Sequence, residues 1–345
     1  MWASRDSTHE PATAEPRVAK WSRRAITIPG LIALCLLDLA ALPVLLVGAL
    51  VVDLAGRRRL AAVRFHLAVA FALGSHLVGL LLLFGAWIVG LFAGRERERQ
   101  LDVRSEAWWA RSTWHAAVRL YGMRVLTEGE DVLGGGPVLL MSRHVSLLDI
   151  LPPLVFVTAR HGLALRYVAK RELLWDPCVD LVGHRLATAF VRRGRRGHDV
   201  DVAAVESLAR DLGPRDAVVI FPEGTRFTEA KRARAIATLS GRDAAALEHA
   251  VRLKNLLPPH PGGAFALLDR ARGADVVFCA HTGLEGANHL RDLLAGSLIG
   301  KTVRFRYWRV AARDIPVDGE ARLAWLREWW ERLDAWIGSC PGEAR

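Results

Sequence analysis

The chain is poor in cysteine: Cys35, Cys178, Cys279 and Cys340 form no C-x-x-C pair and follow no regular spacing. This excludes a disulfide framework and a cysteine-based zinc site, and it fits a reducing compartment in which each thiol is a small buried hydrophobe. A G-x-S-x-G nucleophile elbow is also missing, so Ser146 gives no reason to expect a serine hydrolase. No internal repeat is present. The apolar stretches near the N-terminus are too long for a signal peptide and lack a small-residue cleavage site before an export-like domain, so both are expected in the mature protein. The basic run Arg192-Arg193-Gly194-Arg195-Arg196 has no interleaved aromatics and no nucleic-acid module around it. A phospholipid-facing loop, with no nucleic acid as partner, is the better account of it. Gly296-Ser297-Leu298-Ile299-Gly300-Lys301-Thr302 falls one residue short of a P-loop and precedes a strand-like run, so a plain loop is expected there.

What the chain has in excess is apolar surface. Hydrophobic residues make up 52% of its 345 positions, concentrated in 26–52 and 66–92, each long enough for an α-helix to cross or enter a bilayer. Pro29, Asp38 and Pro43 in the first run, and His66 and His76 in the second, make neither an ideal lipid-facing span. Lys plus Arg exceed Asp plus Glu by 47 to 36. Arg17, Lys20, Arg23 and Arg24 precede the first run and Arg95, Arg97 and Arg99 follow the second, a placement that favours an anionic cytoplasmic leaflet. The link between the runs carries Arg57, Arg58, Arg59 and Arg64, which conflicts with a spanning hairpin whose link lies outside. A spanning hairpin and one that dips into a single leaflet both stand open. The expected division is a flexible polar leader (1–25), a membrane-inserting helical hairpin (26–94) and a catalytic body (95–340). That body is placed on the cytoplasmic side of a bacterial inner membrane or its equivalent.

In the body, Trp108, Trp109, Trp114, Ala117, Val118 and Tyr121 recur at helical spacing and predict a helix lying by its tryptophans against the sheet or, alternatively, the membrane surface. Short apolar runs at 138–142, 166–169, 189–191, 217–221, 275–280 and 302–310 read as strands. Helical stretches at 200–212 and 261–272 alternate with them, and a last helix over 319–337 puts Leu323, Leu326, Trp330, Leu333 and Ile337 on one face, either to cap the sheet or to meet lipid at the interface. The expected fold class is α/β: a mostly parallel sheet flanked by helices, with an N-terminal two-helix membrane hairpin. Chemistry in such sheets sits at the carboxyl ends of the strands, where His144 and Glu223 fall.

His144 and Asp149 form an H-x-x-x-x-D. On a strand-to-helix turn the imidazole can face a cleft while the carboxylate folds back onto its other ring nitrogen, which makes an oriented general base. The bland alternative is a structural histidine bonded to a buried aspartate. Phe221-Pro222-Glu223-Gly224-Thr225-Arg226 ends another strand. Gly224 permits a tight turn and close approach of a ligand, Glu223 falls at the cleft floor, and Arg226 offers a planar fork suited to phosphate.

In this order, these strings resemble the glycerolipid acyltransferases, the 1-acyl-glycerol-3-phosphate and related lysophospholipid acyltransferases, over about 121–286. Gly183 with Phe190-Val191-Arg192-Arg193 is similar to the family's second block, and Lys170-Arg171-Glu172-Leu173 to its Lys-x-Glu-Leu segment. Residues 227–231, a basic insertion and 253–259 look like the branch with the gamma, delta and epsilon types and lysocardiolipin acyltransferase. Two departures stand out: Arg143 where many members carry Asn, and Cys279-Ala280-His281-Thr282 in place of a block that often contains Val-Pro.

The resemblance implies His144 as catalytic base with Asp149 as its partner. It assigns Lys170, Arg193, Glu223, Gly224, Thr225 and Arg226 to the acceptor and its phosphate. It implies acyl-CoA or acyl carrier protein as co-substrate, no metal and no other cofactor. The expected reaction is acylation of the free hydroxyl of 1-acyl-glycerol-3-phosphate to phosphatidic acid at a phospholipid membrane. The alternatives are an acyltransferase for lysocardiolipin, another lysophospholipid or a lyso-aminolipid, and a non-catalytic membrane lipid-binding protein.

Overall fold

The computed structural model of the chain describes residues 15–191 and 202–341. Three long helices come first: α1 (Arg17–Gly56), α2 (Ala61–Ala93) and α3 (Arg95–Tyr121). The strands are β1 (Arg124–Glu128), β2 (Val138–Ser142), β3 (Ala164–Lys170), β4 (Thr188–Val191), β5 (Asp216–Ile220), β6 (Asp275–Thr282) and β7 (Thr302–Val310). Helix α4 (Leu151–Pro153), prolonged by a π-helical turn over Leu154–Ala159, lies between β2 and β3, and α5 (Pro177–Arg185) lies between β3 and β4. Then come α6 (Val202–Leu208), α7 (Glu229–Leu239), α8 (Ala244–Arg252), α9 (Pro261–Arg270), α10 (Leu290–Leu294) and α11 (Gly319–Ser339).

The strands form one sheet in the order β1-β7-β6-β2-β5-β3-β4. From β6 to β4 it is parallel, while β7 runs antiparallel to β6 and pairs in parallel with β1. All six expected strands are present. β1 was not legible, because its burial alternates with exposure and it lacks the continuous apolar run of the central strands.

Every residue of β2 and β5 is buried, because helices cover both faces of the sheet. Val138 and Leu140 of β2 and Ala217 and Val219 of β5 pack with Trp114 of α3 and Leu151 of α4. The alternating residues Leu139, Met141, Val218 and Ile220 pack on the other face with Val205, Leu267, Leu326, Trp330 and Leu333 from α6, α9 and α11. The tryptophan-bearing helix and the capping last helix therefore do what their spacing predicts.

Of the expected polar leader (1–25) the structure describes residues from 15 onward. Residues 17–25 already belong to α1, because Arg23 and Arg24 are buried against the carboxylate of Asp180 in α5, at 2.8 and 2.7 Å. Helix α1 continues through Pro29 and Pro43. Asp53 then accepts the amides of Ala62 and Val63 at 3.0 and 2.9 Å, satisfying donors that begin α2.

Helix α2 is tied to the body along its length. Arg64 donates to the carbonyl of Leu120, His76 Nε2 lies 3.0 Å from Asp176, and Arg185 donates to the carbonyl of Leu83 at 2.8 Å. The opposite face of the hairpin is apolar and open, with Leu36, Leu37, Leu39, Val44, Leu81, Phe84 and Phe92 exposed. Only 11% and 22% of the most apolar windows of α1 and α2 are buried.

Candidate active site

Three adjacent parallel strands, β6, β2 and β5, bring His281, His144 and Glu223 to the same edge of the sheet. The turn after β2 explains the five-residue spacing of His144 and Asp149. Ser146 is extended and caps a short 3₁₀ turn over Leu147–Ile150, its hydroxyl accepting the Leu148 amide at 3.1 Å. Asp149 completes the capping box by accepting the Ser146 amide at 2.8 Å, and its Oδ2 also takes the Val145 amide at 2.5 Å. Folded back in this way, the same oxygen sits 2.8 Å from His144 Nδ1. An oxygen that already accepts two amides is an ionised acceptor, so Nδ1 carries the hydrogen and Nε2 presents a lone pair. Burial by itself would raise the Asp149 carboxyl, but His281, His144 and the Ser146 amide outweigh it and hold the group below its ordinary value. Phe221 stacks on the imidazole with centroids 4.5 Å apart.

Glu223 is fully buried. Its two oxygens accept the backbone amides of His144 at 2.7 Å and Leu257 at 2.9 Å. A buried carboxyl between two backbone amides braces the chain at both points. Burial pushes this carboxyl up to about 8, against the opposing pull of both amides and of Arg143. The Phe227 amide returns a bond to the His144 carbonyl at 2.7 Å. The 221–227 segment thus grips the His144 backbone from both sides.

Gly224 has φ +65, a conformation that favours glycine, and a Cβ there would lie 3.2 Å from His260 Cδ2. Thr225 accepts from Lys231 Nζ at 2.8 Å. Arg226 donates to the carbonyl of Asn288. Lys170 ends β3 at the same edge of the sheet and is exposed. Arg193 lies outside the described residues. In the second block Gly183 has a packing reason, since a Cβ there would meet Phe190 Cζ at 2.5 Å. Among the described residues, no group of three or more His, Cys, Asp and Glu side chains could hold a metal ion.

Sequence reasoning missed the supporting layer. Arg143 is 2% exposed. It donates to the carbonyl of His281 at 2.6 Å and of Asn255 at 3.0 Å, and pairs with Glu285 at 2.5 Å. The departure from Asn at that position was the available signal. The 253–259 segment is held from beneath by α11 and reaches Glu223 through the Leu257 amide. Asp334 binds the amides of Lys254 and Asn255, and Trp330 donates to the Leu257 carbonyl at 2.9 Å.

Residues 118–279 match the acyltransferase family model. Among curated proteins, the lyso-ornithine lipid O-acyltransferase of Rhizobium meliloti is 33% identical over 128 residues, covering 36% of this chain and 40% of that protein. The human 1-acyl-sn-glycerol-3-phosphate acyltransferase delta is 27% identical over 172 residues, covering 49% and 44%. The matched stretch therefore spans less than half the length of either relative. The crystal structure of the 1-acyl-sn-glycerophosphate acyltransferase PlsC from Thermotoga maritima superimposes with a TM-score of 0.55 at 17% identity, covering 83% of this chain and 98% of that one, a likeness of fold. The stretch 118–279, with the His144–Asp149 pair on the carboxyl edge of its sheet, is a domain of the acyltransferase family.

Proposed function

We propose that the chain is a membrane-associated O-acyltransferase that acylates the free hydroxyl of a lysophospholipid, 1-acyl-glycerol-3-phosphate foremost, from acyl-CoA or acyl carrier protein. The observation that carries this reading is the fixed His144 tautomer, with Nδ1 held at 2.8 Å by Asp149 and Nε2 left for a hydroxyl. His144 takes the hydroxyl proton as the oxygen attacks the thioester carbonyl. The new C–O bond forms, the C–S bond breaks, and the proton passes to the departing thiolate. A thiolate is a good leaving group, so no acyl-enzyme is required. Asp149 stabilises the imidazolium that forms in between. Arg226 has donors beyond the one given to Asn288, and with Lys170 and Arg193 it is assigned to the acceptor phosphate.

The hairpin supports a place on one leaflet. A spanning pair would hold its link about 30 Å from the body, whereas Arg64 in α2 binds Leu120 of α3 and Arg23 in α1 binds Asp180 of α5. The exposed apolar face between these anchors suits burial among acyl chains, with Arg57, Arg58 and Arg59 exposed at one end for anionic headgroups.

A second reading changes the acceptor to a lyso-aminolipid, and it is favoured by the similarity to lyso-ornithine lipid O-acyltransferases. Purified protein given one acyl-CoA and a panel of lysolipids decides between them. Preference for an acceptor without a terminal phosphate removes the phosphate role of Arg226. His144→Ala is expected to lower turnover by about 10²- to 10⁴-fold, the usual contribution of a general base, while the protein stays folded. Wild-type turnover in that variant would remove the mechanism, and tight lipid binding without transfer to any lysolipid would favour a binding protein.

A further inference from the structure

His281 stands in the block where the resembling proteins often carry Val-Pro, and the mechanism above leaves it unused. It lies near the end of β6, opposite Phe305 of β7, and is 2% exposed. Its Nε2 is 3.2 Å from the carbonyl of Arg143. A carbonyl only accepts, so Nε2 carries the hydrogen. The same nitrogen is 3.6 Å from Asp149 Oδ1, a buried oxygen with no hydrogen-bond partner, while Oδ2 takes three. A buried carboxylate oxygen without a donor is costly, and His281 holds the polar hydrogen nearest to hand.

We propose that His281 is a positioning residue that shares its Nε2–H between the Arg143 carbonyl and Asp149 Oδ1, fixing the carboxylate that orients His144. The proposal rests on the acyltransferase reading of the site. Closing 3.6 Å to an ordinary bond length requires a shift of about 0.7 Å.

The groups facing His281 are Asp149 from the turn after β2, Arg143 from the end of β2, Glu285 from the loop after β6, Cys279 of β6 and Tyr307 of β7. Burial, the largest influence, pushes the imidazole below its ordinary value and keeps it neutral at physiological pH; Arg143 acts in the same direction, Asp149 and Glu285 oppose it. Neutrality matters. A lysine or arginine at this position would cancel the negative charge that stabilises the His144 imidazolium, whereas a neutral N–H solvates Oδ1 and leaves the charge in place.

The test compares full-length wild type with His281→Gln, whose amide retains a donor, and His281→Leu, which has none. His281→Met, unbranched and adaptable, replaces Leu where Leu fails to fold. Kinetics on lysophosphatidic acid and acyl-CoA are read against pH. The rate of diethyl pyrocarbonate modification of His144, followed on its peptide by mass spectrometry, is read against pH in parallel. Losing a hydrogen bond to a charged group should cost about 10- to 100-fold in kcat. KM should change little, and the acid limb of the rate profile and the modification curve should both move to higher pH, since a less solvated carboxylate holds a proton on its partner more strongly. Gln should restore kcat to within about threefold, given that one retained donor supplies most of that bond. Wild-type kcat and pH dependence in the donor-free variant would overturn the proposal, and so would equal losses in the Gln and donor-free variants. If no lysolipid is acylated at all, the functional reading fails, while the His144 modification curves still decide the role of His281.

Discussion

Asp149→Asn separates two functions that a carboxylate partner can have, holding the imidazole and carrying charge. In serine proteases the corresponding change costs about 10⁴-fold because the histidine is left in the wrong tautomer. Here the amides of Val145 and Ser146, at 2.5 and 2.8 Å from Oδ2, select which end of an Asn side chain occupies that position. They take its carbonyl oxygen. The new NH₂ then falls at Oδ1 and faces the donor of His281 Nε2, 3.6 Å away, so the contact proposed for His281 is lost with it. His144 keeps an acceptor at Nδ1 and therefore its tautomer. The charge is the larger of the two losses. Two unit charges about 4 Å apart at an effective dielectric near 20 interact by about 4 kcal/mol. His144 is 24% exposed and only part of its charge has developed in the transition state, so about half of that applies. The expected loss in kcat is therefore about 30- to 100-fold, with the acid limb of the rate profile moving to lower pH. Asp149→Ala should lose more and unfold at lower temperature, since it strands two buried amides at a cost of about 1–3 kcal/mol each. Steady-state rates from pH 5 to 9 and thermal melts measure both. If Asp149→Asn is as inactive as His144→Ala, tautomer control by the two amides is wrong.

Glu223 makes stability pH-dependent in an unusual direction. Burial raises its carboxyl from 4.5 to about 8, so between those values the folded protein binds a proton that the unfolded chain has released. Stability contributed by this group is present at low pH and falls as pH rises through that window, by at most about 1.4 kcal/mol per unit. Glu223→Gln should abolish that component. It should also cost about 1–3 kcal/mol, because its NH₂ must face one of the His144 and Leu257 amides; tryptophan-fluorescence melts across pH 5 to 8 would expose an unchanged slope. For the hairpin, cysteines introduced at Arg58 and at exposed Arg291 should react with a membrane-impermeant maleimide from the same side of sealed vesicles. Reaction from opposite sides would establish a spanning hairpin instead.

Much of the site was legible because its spacing is local. His144 and Asp149 are joined by a capping box of four consecutive residues, and Gly224 by a tight turn, both of which follow from residue type and short separation. The hydrogen bonds of Glu223 were not legible for the opposite reason. Its partners His144 and Leu257 are 79 and 34 residues away, and both bonds go to backbone amides, which a sequence does not distinguish. The same holds for Arg143, whose bonds reach 112 to 142 residues along the chain. β1 escaped notice because it lies at the edge of the sheet, where half of its side chains meet solvent and the apolar signal is diluted.

The sequence by itself determined the alternation of buried strands and helices, the apolar hairpin and the His144–Asp149 pair. Hydrophobic periodicity and turn chemistry act over a few residues and need no distant partner. Tertiary structure alone decided which strands are neighbours, and so that His281 arrives behind Asp149, that Glu223 holds the His144 backbone and that Arg143 ties three segments together. It also decided that α1 and α2 lie along the body, because Asp180, Asp176 and Arg185 reach them from more than eighty residues away.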